Sequence, residues 1–108
     1  MSDVIQVSTT CADREEAEKI ARHLVAAQLA ACVQVEGPIH SVYRWKGAIE
    51  QASEWRAVAK TLRSKFVEVE AAIRHLHSYE QPEIIAVAVV AGSDGYLQWV
   101  WNETADAP

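Results

Sequence analysis

The sequence is short of the features that most directly announce a function. Cys11 and Cys32 are its only cysteines, too few for the disulfide framework of a small secreted domain. It has no C-x-x-C and no H-x-x-x-H, the paired spacings of a firm metal site. The four glycines, at 37, 47, 92 and 95, are scattered, so no glycine-rich loop is available to cradle phosphate. There is no nucleophile elbow. Basic charge is in deficit: the formal net charge is −5 at pH 7, which argues against the basic patch that a nucleic-acid binder needs. No apolar run has membrane-spanning length, and the longest, residues 84–91, has the length of a buried strand. Met1-Ser2-Asp3-Val4-Ile5 carries neither the positive region nor the apolar stretch of a signal peptide. Repeats, low-complexity stretches, linkers and blocks of like charge are missing too. A reducing cytoplasm with both thiols free is the simplest expectation.

What is present reads as one domain covering residues 1–108, patterned from about 4 to 101. Half of its residues are hydrophobic, and a chain of this size can build a core without disulfides or metal. Val4-Ile5-Gln6-Val7-Ser8-Thr9-Thr10 predicts a strand. Asp13, with Glu16 three residues on, resembles a capping box. It opens a helix with Ala17, Ile20, Ala21, Leu24 and Ala27 or Gln28 on one face, ending near Ala30 or Ala31. Val33-Gln34-Val35 starts a second strand, which Gly37-Pro38 interrupts. The chain resumes at Ile39, and Lys46-Gly47 is the expected tight turn of a hairpin. The return strand, Ala48 to about Leu62, is longer than an average strand. Phe66, Val69, Ile73 and Leu76 form the stripe of a second helix, which ends before Ser78. Residues 84–90 predict a strand buried on both faces. Ser93 or Asp94 can cap a last short helix holding Tyr96, Leu97, Trp99, Val100 and Trp101.

This order predicts an α+β, ferredoxin-like βαβ–βαβ sandwich with a long β-hairpin and a short C-terminal helix. Both crossover helices then lie on one sheet face. The other face, and an overlong hairpin bearing Tyr43, Trp45 and Trp55, would need a partner, and a closed homo-oligomer supplies one. Trp99 and Trp101 read as interface or core anchors.

Three constellations could carry chemistry. The first is a metal site drawn from Cys11, Cys32, His75 and His77. The two histidines are two residues apart and converge only if the helix ends between them. As plain surface residues they would suit a helix C-terminus. Cys32 reads as a small buried hydrophobe, and Cys11, beside a helix N-terminus, is the better ligand. The second is a Cys11–His77–Glu83 nucleophile set, for which nothing local speaks. The third is a cleft beside the hairpin, lined by Lys60, Tyr79, Glu83, Tyr43 and Trp45. Lys60 shares a strand face with Glu54, so an ion pair of Lys60 with Glu54 or Glu83 is the structural alternative to a ligand pocket.

Several strings of the chain also match a known family. Thr9-Thr10-Cys11-Ala12-Asp13 resembles its T-x-C-P-D, Leu29-Ala30-Ala31-Cys32-Val33 its L-A-A-C-V, and Ser41-Val42-Tyr43-Arg44-Trp45-Lys46-Gly47 its S-x-Y-x-W-x-G. Lys60-Thr61, His77-Ser78-Tyr79-Glu80-Gln81-Pro82-Glu83-Ile84 and Tyr96-Leu97-Gln98-Trp99 match its K-T, H-P-Y-x-x-P-E-I and Y-L-x-W. The chain resembles the CutA divalent-cation tolerance proteins over about residues 4 to 101. The resemblance implies a ferredoxin-like fold and a homotrimer similar to the PII-type signalling proteins. It also implies a cytoplasmic role in tolerance of copper and other divalent ions, binding rather than catalysing. Some members bind copper through a cysteine at the end of the first strand and a histidine pair. Here Thr9 stands at that cysteine position and Leu76 at one histidine, leaving His77 with the displaced Cys11. That set binds metal weakly unless subunits pool ligands. The expected ligands are therefore a divalent metal ion such as copper at His77 and Cys11, or a small metabolite in an intersubunit cleft. No nucleic-acid or membrane partner is implied.

Overall fold

A computed structural model describes residues 3–104, so the outer ends of the expected 1–108 domain lie outside the described residues. The element order is β1 (Val4–Cys11), α1 (Arg14–Ala26), β2 (Cys32–Trp45), β3 (Ala48–Leu62), α2 (Phe66–Leu76), β4 (Ile85–Ala88) and α3 (Asp94–Thr104). A single 3-10 turn, Arg63–Lys65, leads into α2. The four strands form one antiparallel sheet in the order β2-β3-β1-β4. This is the ferredoxin-like arrangement that the sequence pattern predicts. No helix among the described residues is long and apolar enough to cross a membrane.

Alternation along β1 explains its central place. Ile5, Val7, Thr9 and Cys11 face the helices, and all are nearly inaccessible. They meet Ala17, Ile20 and Leu24 of α1, Val69 and Ile73 of α2, and the small residues Ala57 and Ala59 of β3. Each large apolar side chain in such a core contributes roughly 1.5–3 kcal/mol. Alanines on β3 let both helices approach the sheet closely, so the hydrophobic spacing of 3.6 and of 2 converge on one core.

Helix α1 ends at Ala26, about four residues earlier than its periodicity suggests. Gln28 adopts a left-handed φ of 59°, the Gln28 N–H donates to Val25 O, and the Leu29 N–H donates to Leu24 O at 2.9 Å. That is a Schellman stop with glutamine where glycine is usual, a signal that composition does not carry. Gly37-Pro38 likewise bends β2 without ending it. The register against β3 shifts between Glu36 and Ile39, and the strand continues to Trp45. Lys46 and Gly47 form the tight turn, both at positive φ.

Three expectations are corrected. The last strand is not buried on both faces: β4 is a short edge, with Ile85 and Val87 52% and 57% exposed. A run of β-branched residues and alanine reads as a core strand, but the sheet order gives it only one neighbour. The second sheet face is not wholly open either, because α3 seals one end of it through Val100 and Leu97 on Val4, Leu62 and Ala31. Trp55 is not a fully exposed residue of the hairpin either, since it packs on the main core beneath Arg14.

Candidate functional site

Strand β1 delivers Cys11 to the mouth of α1, and the cap of that helix organises what surrounds it. Asp13 Oδ1 accepts the Glu16 N–H at 2.8 Å, as a capping box requires. The Glu16 carboxylate returns to the Ala12 N–H at 3.3 Å and reaches across to the Ser78 N–H at 2.8 Å. It therefore ties the β1–α1 loop to the segment after α2. Helix α2 stops at Leu76, between the two histidines, and His77 turns to extended backbone. That break sends His75 outward and His77 inward, where its Nε2 lies 3.9 Å from Cys11 Sγ. Cys11, Glu16 and His77 each place one ligand atom within 4.8 Å of the others.

The protons in this cluster are fixed by its neighbours. The Tyr79 N–H donates to His77 Nδ1 at 3.1 Å, so that nitrogen is bare and the ring proton sits on Nε2. From there it is donated to Thr10 O at 2.8 Å. Burial pushes the Cys11 thiol up from 9.0 to about 12, and the carboxylates of Glu16, Asp13 and Glu54 add to the rise. Cys11 is therefore a thiol at neutral pH, with no readiness to act as a nucleophile. Its neighbour on the same face, Thr9, is buried with its hydroxyl unpaired among the described residues. An unmet hydroxyl of this kind costs about 1–3 kcal/mol.

The other side of the same segment forms a cleft of about 670 Å³. It is lined by Tyr43 and Trp45 of β2, by Tyr79 and Glu83 from the segment after α2, and by Glu54 of β3. Glu54 is only 7% exposed, and its Oε2 accepts the Tyr79 hydroxyl at 2.7 Å. Burial first, and then that carboxylate, raises the Tyr79 phenol well above its ordinary range. The His77 and Tyr79 rings lie 4.8 Å apart, so cluster and cleft share a wall.

The structure thus brings Cys11 and His77 together, and separately gathers Tyr43, Trp45, Tyr79 and Glu83. It leaves Lys60 out. Lys60 hydrogen-bonds Gln34 across the β2–β3 ladder, and neither Glu54 nor Glu83 is its partner. Sharing a strand face did not bring Lys60 and Glu54 together, because six residues of extended chain separate them by roughly 20 Å. Sequence reasoning treated Glu16 only as a cap, and Glu54 only as a partner for Lys60. The last residue of a capping box faces the preceding loop, and that geometry was the available signal for Glu16 beside Cys11.

A family model described as CutA1 divalent ion tolerance protein matches residues 5–103. The chloroplastic CutA protein of Arabidopsis thaliana is 38% identical over 100 residues, covering 93% of this chain and 55% of that protein. The human protein CutA is 43% identical over 95 residues, covering 88% of this chain and 53% of the human one. The chain thus spans about half the length of these two curated relatives. A solved structure from Archaeoglobus fulgidus, titled a periplasmic divalent cation tolerance protein CutA, superposes with a TM-score of 0.90 at 37% identity. That match covers 94% of this chain and 98% of the archaeal one.

Proposed function

The chain belongs to the CutA1 divalent ion tolerance protein family, and we propose that it is a cytoplasmic homotrimer that binds a divalent cation such as copper at Cys11, Glu16 and His77. The observation that carries this reading is the convergence of three different donors within 4.8 Å, from three segments of the chain. Thiolate, imidazole and carboxylate together suit copper or zinc. Donors on one such ion sit roughly 3.5 Å apart at ordinary bond lengths, so the cluster must contract by about 1 Å. The Cys11 thiol must lose its proton, and the His77 ring proton must shift from Nε2 to Nδ1 to free a lone pair, so binding strengthens with pH and releases a proton. Trimer formation is supported by exposed Ile85 and Val87 on the β4 edge and by exposed Val42 and Ile49 on the hairpin. Binding rather than catalysis fits a thiol held protonated.

Titration calorimetry with Cu²⁺ and Zn²⁺ tests this, run in two buffers of different ionisation enthalpy with light scattering alongside. We expect saturable binding of one of the ions with proton release, at least tenfold weaker in Cys11→Ser and in His77→Ala. Undiminished binding in both variants would sink the site, and a monomer by scattering would sink the trimer.

A second reading is favoured by the cleft itself. Its volume of about 670 Å³ is in the range of small-molecule pockets, and its walls are aromatic. A PII-like role, holding a small metabolite there, would leave the cation cluster as a structural hub.

A further inference from the structure

We propose that the cleft between the hairpin and the segment after α2 selects an organic cation: an amine or quaternary ammonium compound. This rests on the second reading above, that the cleft holds a small molecule, and adds the class of that molecule. Every charged side chain lining the cleft is a carboxylate: Glu54, Glu80 and Glu83. The lysine that might have drawn an anion, Lys60, is engaged with Gln34 outside it. An anionic metabolite would therefore enter a field of its own sign.

Glu54 is the sharper observation. It is 7% exposed, and it accepts a hydrogen bond from the Tyr79 hydroxyl, a neutral donor. No lysine, arginine or histidine pairs with it among the described residues. Buried carboxylates are ordinarily matched by a cation, because the charge has left water without compensation. Here the carboxylate lies in the wall of a cavity, so the matching charge can come from what fills that cavity. The aromatic walls fit the same occupant. Tyr43, Trp45 and Tyr79 line the cleft, and a cation within about 6 Å of the face of such a ring is attracted by its quadrupole. One of these rings already shows the behaviour: Lys46 Nζ, from the hairpin turn, lies 5.6 Å from the Trp45 ring centroid. Aromatic rings and a carboxylate lining one cavity are the side chains that recognise alkylammonium groups.

The test uses the full chain, with choline and putrescine as cationic probes, succinate as the anionic probe and glycerol as the neutral one. Binding is read by calorimetry and oligomeric mass by light scattering. We expect choline or putrescine to bind saturably and succinate not to. Glu54→Gln should weaken the cation at least tenfold, and Glu83→Gln, on the exposed rim, several-fold. The rim variant keeps the test alive if the buried substitution fails to fold. Binding of succinate or glycerol but of neither cation leaves the cleft a small-molecule site and overturns the charge class. Absence of saturable binding by all four probes overturns both this proposal and the reading beneath it. Cation affinity unchanged in both variants overturns the assignment of the carboxylates. Disassembly of Glu54→Gln, with no cation binding in the wild type, assigns the matching charge to a neighbouring copy and overturns it as well.

Discussion

Replacing Gly37 by alanine tests how the hairpin is aimed. A Cβ at this position would lie 2.8 Å from Trp55 Cδ2 and 2.9 Å from Cε3, with Glu54 O at 3.1 Å. Ordinary carbon–carbon contact is about 3.5–4.0 Å, so the overlap with the ring is roughly 0.7 Å. The backbone adds to this, since φ is +155° there, which L residues rarely adopt. Overpacking costs about 1–3 kcal/mol and a strained φ about 1–3 kcal/mol. Because Trp55 is only partly buried and its ring can retreat, we take the lower half of each and expect about 2–4 kcal/mol in all. The assay is guanidinium unfolding followed by far-UV circular dichroism at one fixed protein concentration. A double-mutant cycle separates the two causes. In a Trp55→Ala background the clash is gone, and Gly37→Ala should cost about 1–2 kcal/mol less than in the wild type. A cost below about 0.5 kcal/mol in the wild-type background would refute the geometry. A cost equal in both backgrounds would refute the role of the ring. The site should feel the change too, because the register shift between Glu36 and Ile39 lies on the strand that brings Tyr43 and Trp45 to the cleft.

Two further outcomes follow from the local geometry. Gln28→Gly removes the Cβ that strains the left-handed φ of 59° at the stop of α1, and should stabilise the chain by about 0.5–1 kcal/mol, read as a Tm raised by a few degrees; an unchanged or lower Tm would contradict the Schellman assignment. The folded chain holds the Cys11 proton from 9.0 up to about 12 while the unfolded chain releases it, so this contribution is complete below pH 9 and is lost as pH rises towards 12; Cys11→Ala should flatten that decline in urea unfolding, and equal slopes in the two proteins would refute it.

What the sequence could and could not reveal divides along one physical line. Elements fixed by local chemistry were legible: the hairpin turn at Lys46-Gly47, the stripe through Val69 and Ile73, and the cap at Asp13 all lie where the pattern puts them. The two histidines could converge only if the helix ended between them; it does end there, yet His75 turns outward and His77 alone reaches Cys11, a meeting of distant segments that no local pattern announces. What failed depended on non-local neighbours. β4 has the composition of a core strand, and only the sheet order makes it an edge. Lys60 and Glu54 share a face, but register hands Lys60 to Gln34 and leaves Glu54 to Tyr79. The end of α1 was missed for a different reason: a glutamine in the left-handed region announces nothing in advance.

The two halves of β3 differ in what holds them. From Trp55 to Leu62 the strand is laddered to β1, and as far as Lys60 also to β2, over a core of buried alanines. From Ala48 to Glu54 it is laddered to β2 alone. Amide exchange follows such differences, because an amide between two strands opens only when the sheet comes apart, whereas one in a two-stranded ribbon opens by fraying from the turn. A single continuous strand therefore carries two clocks. The slow one times the core, and the fast one times the arm that presents Tyr43 and Trp45 to the cleft.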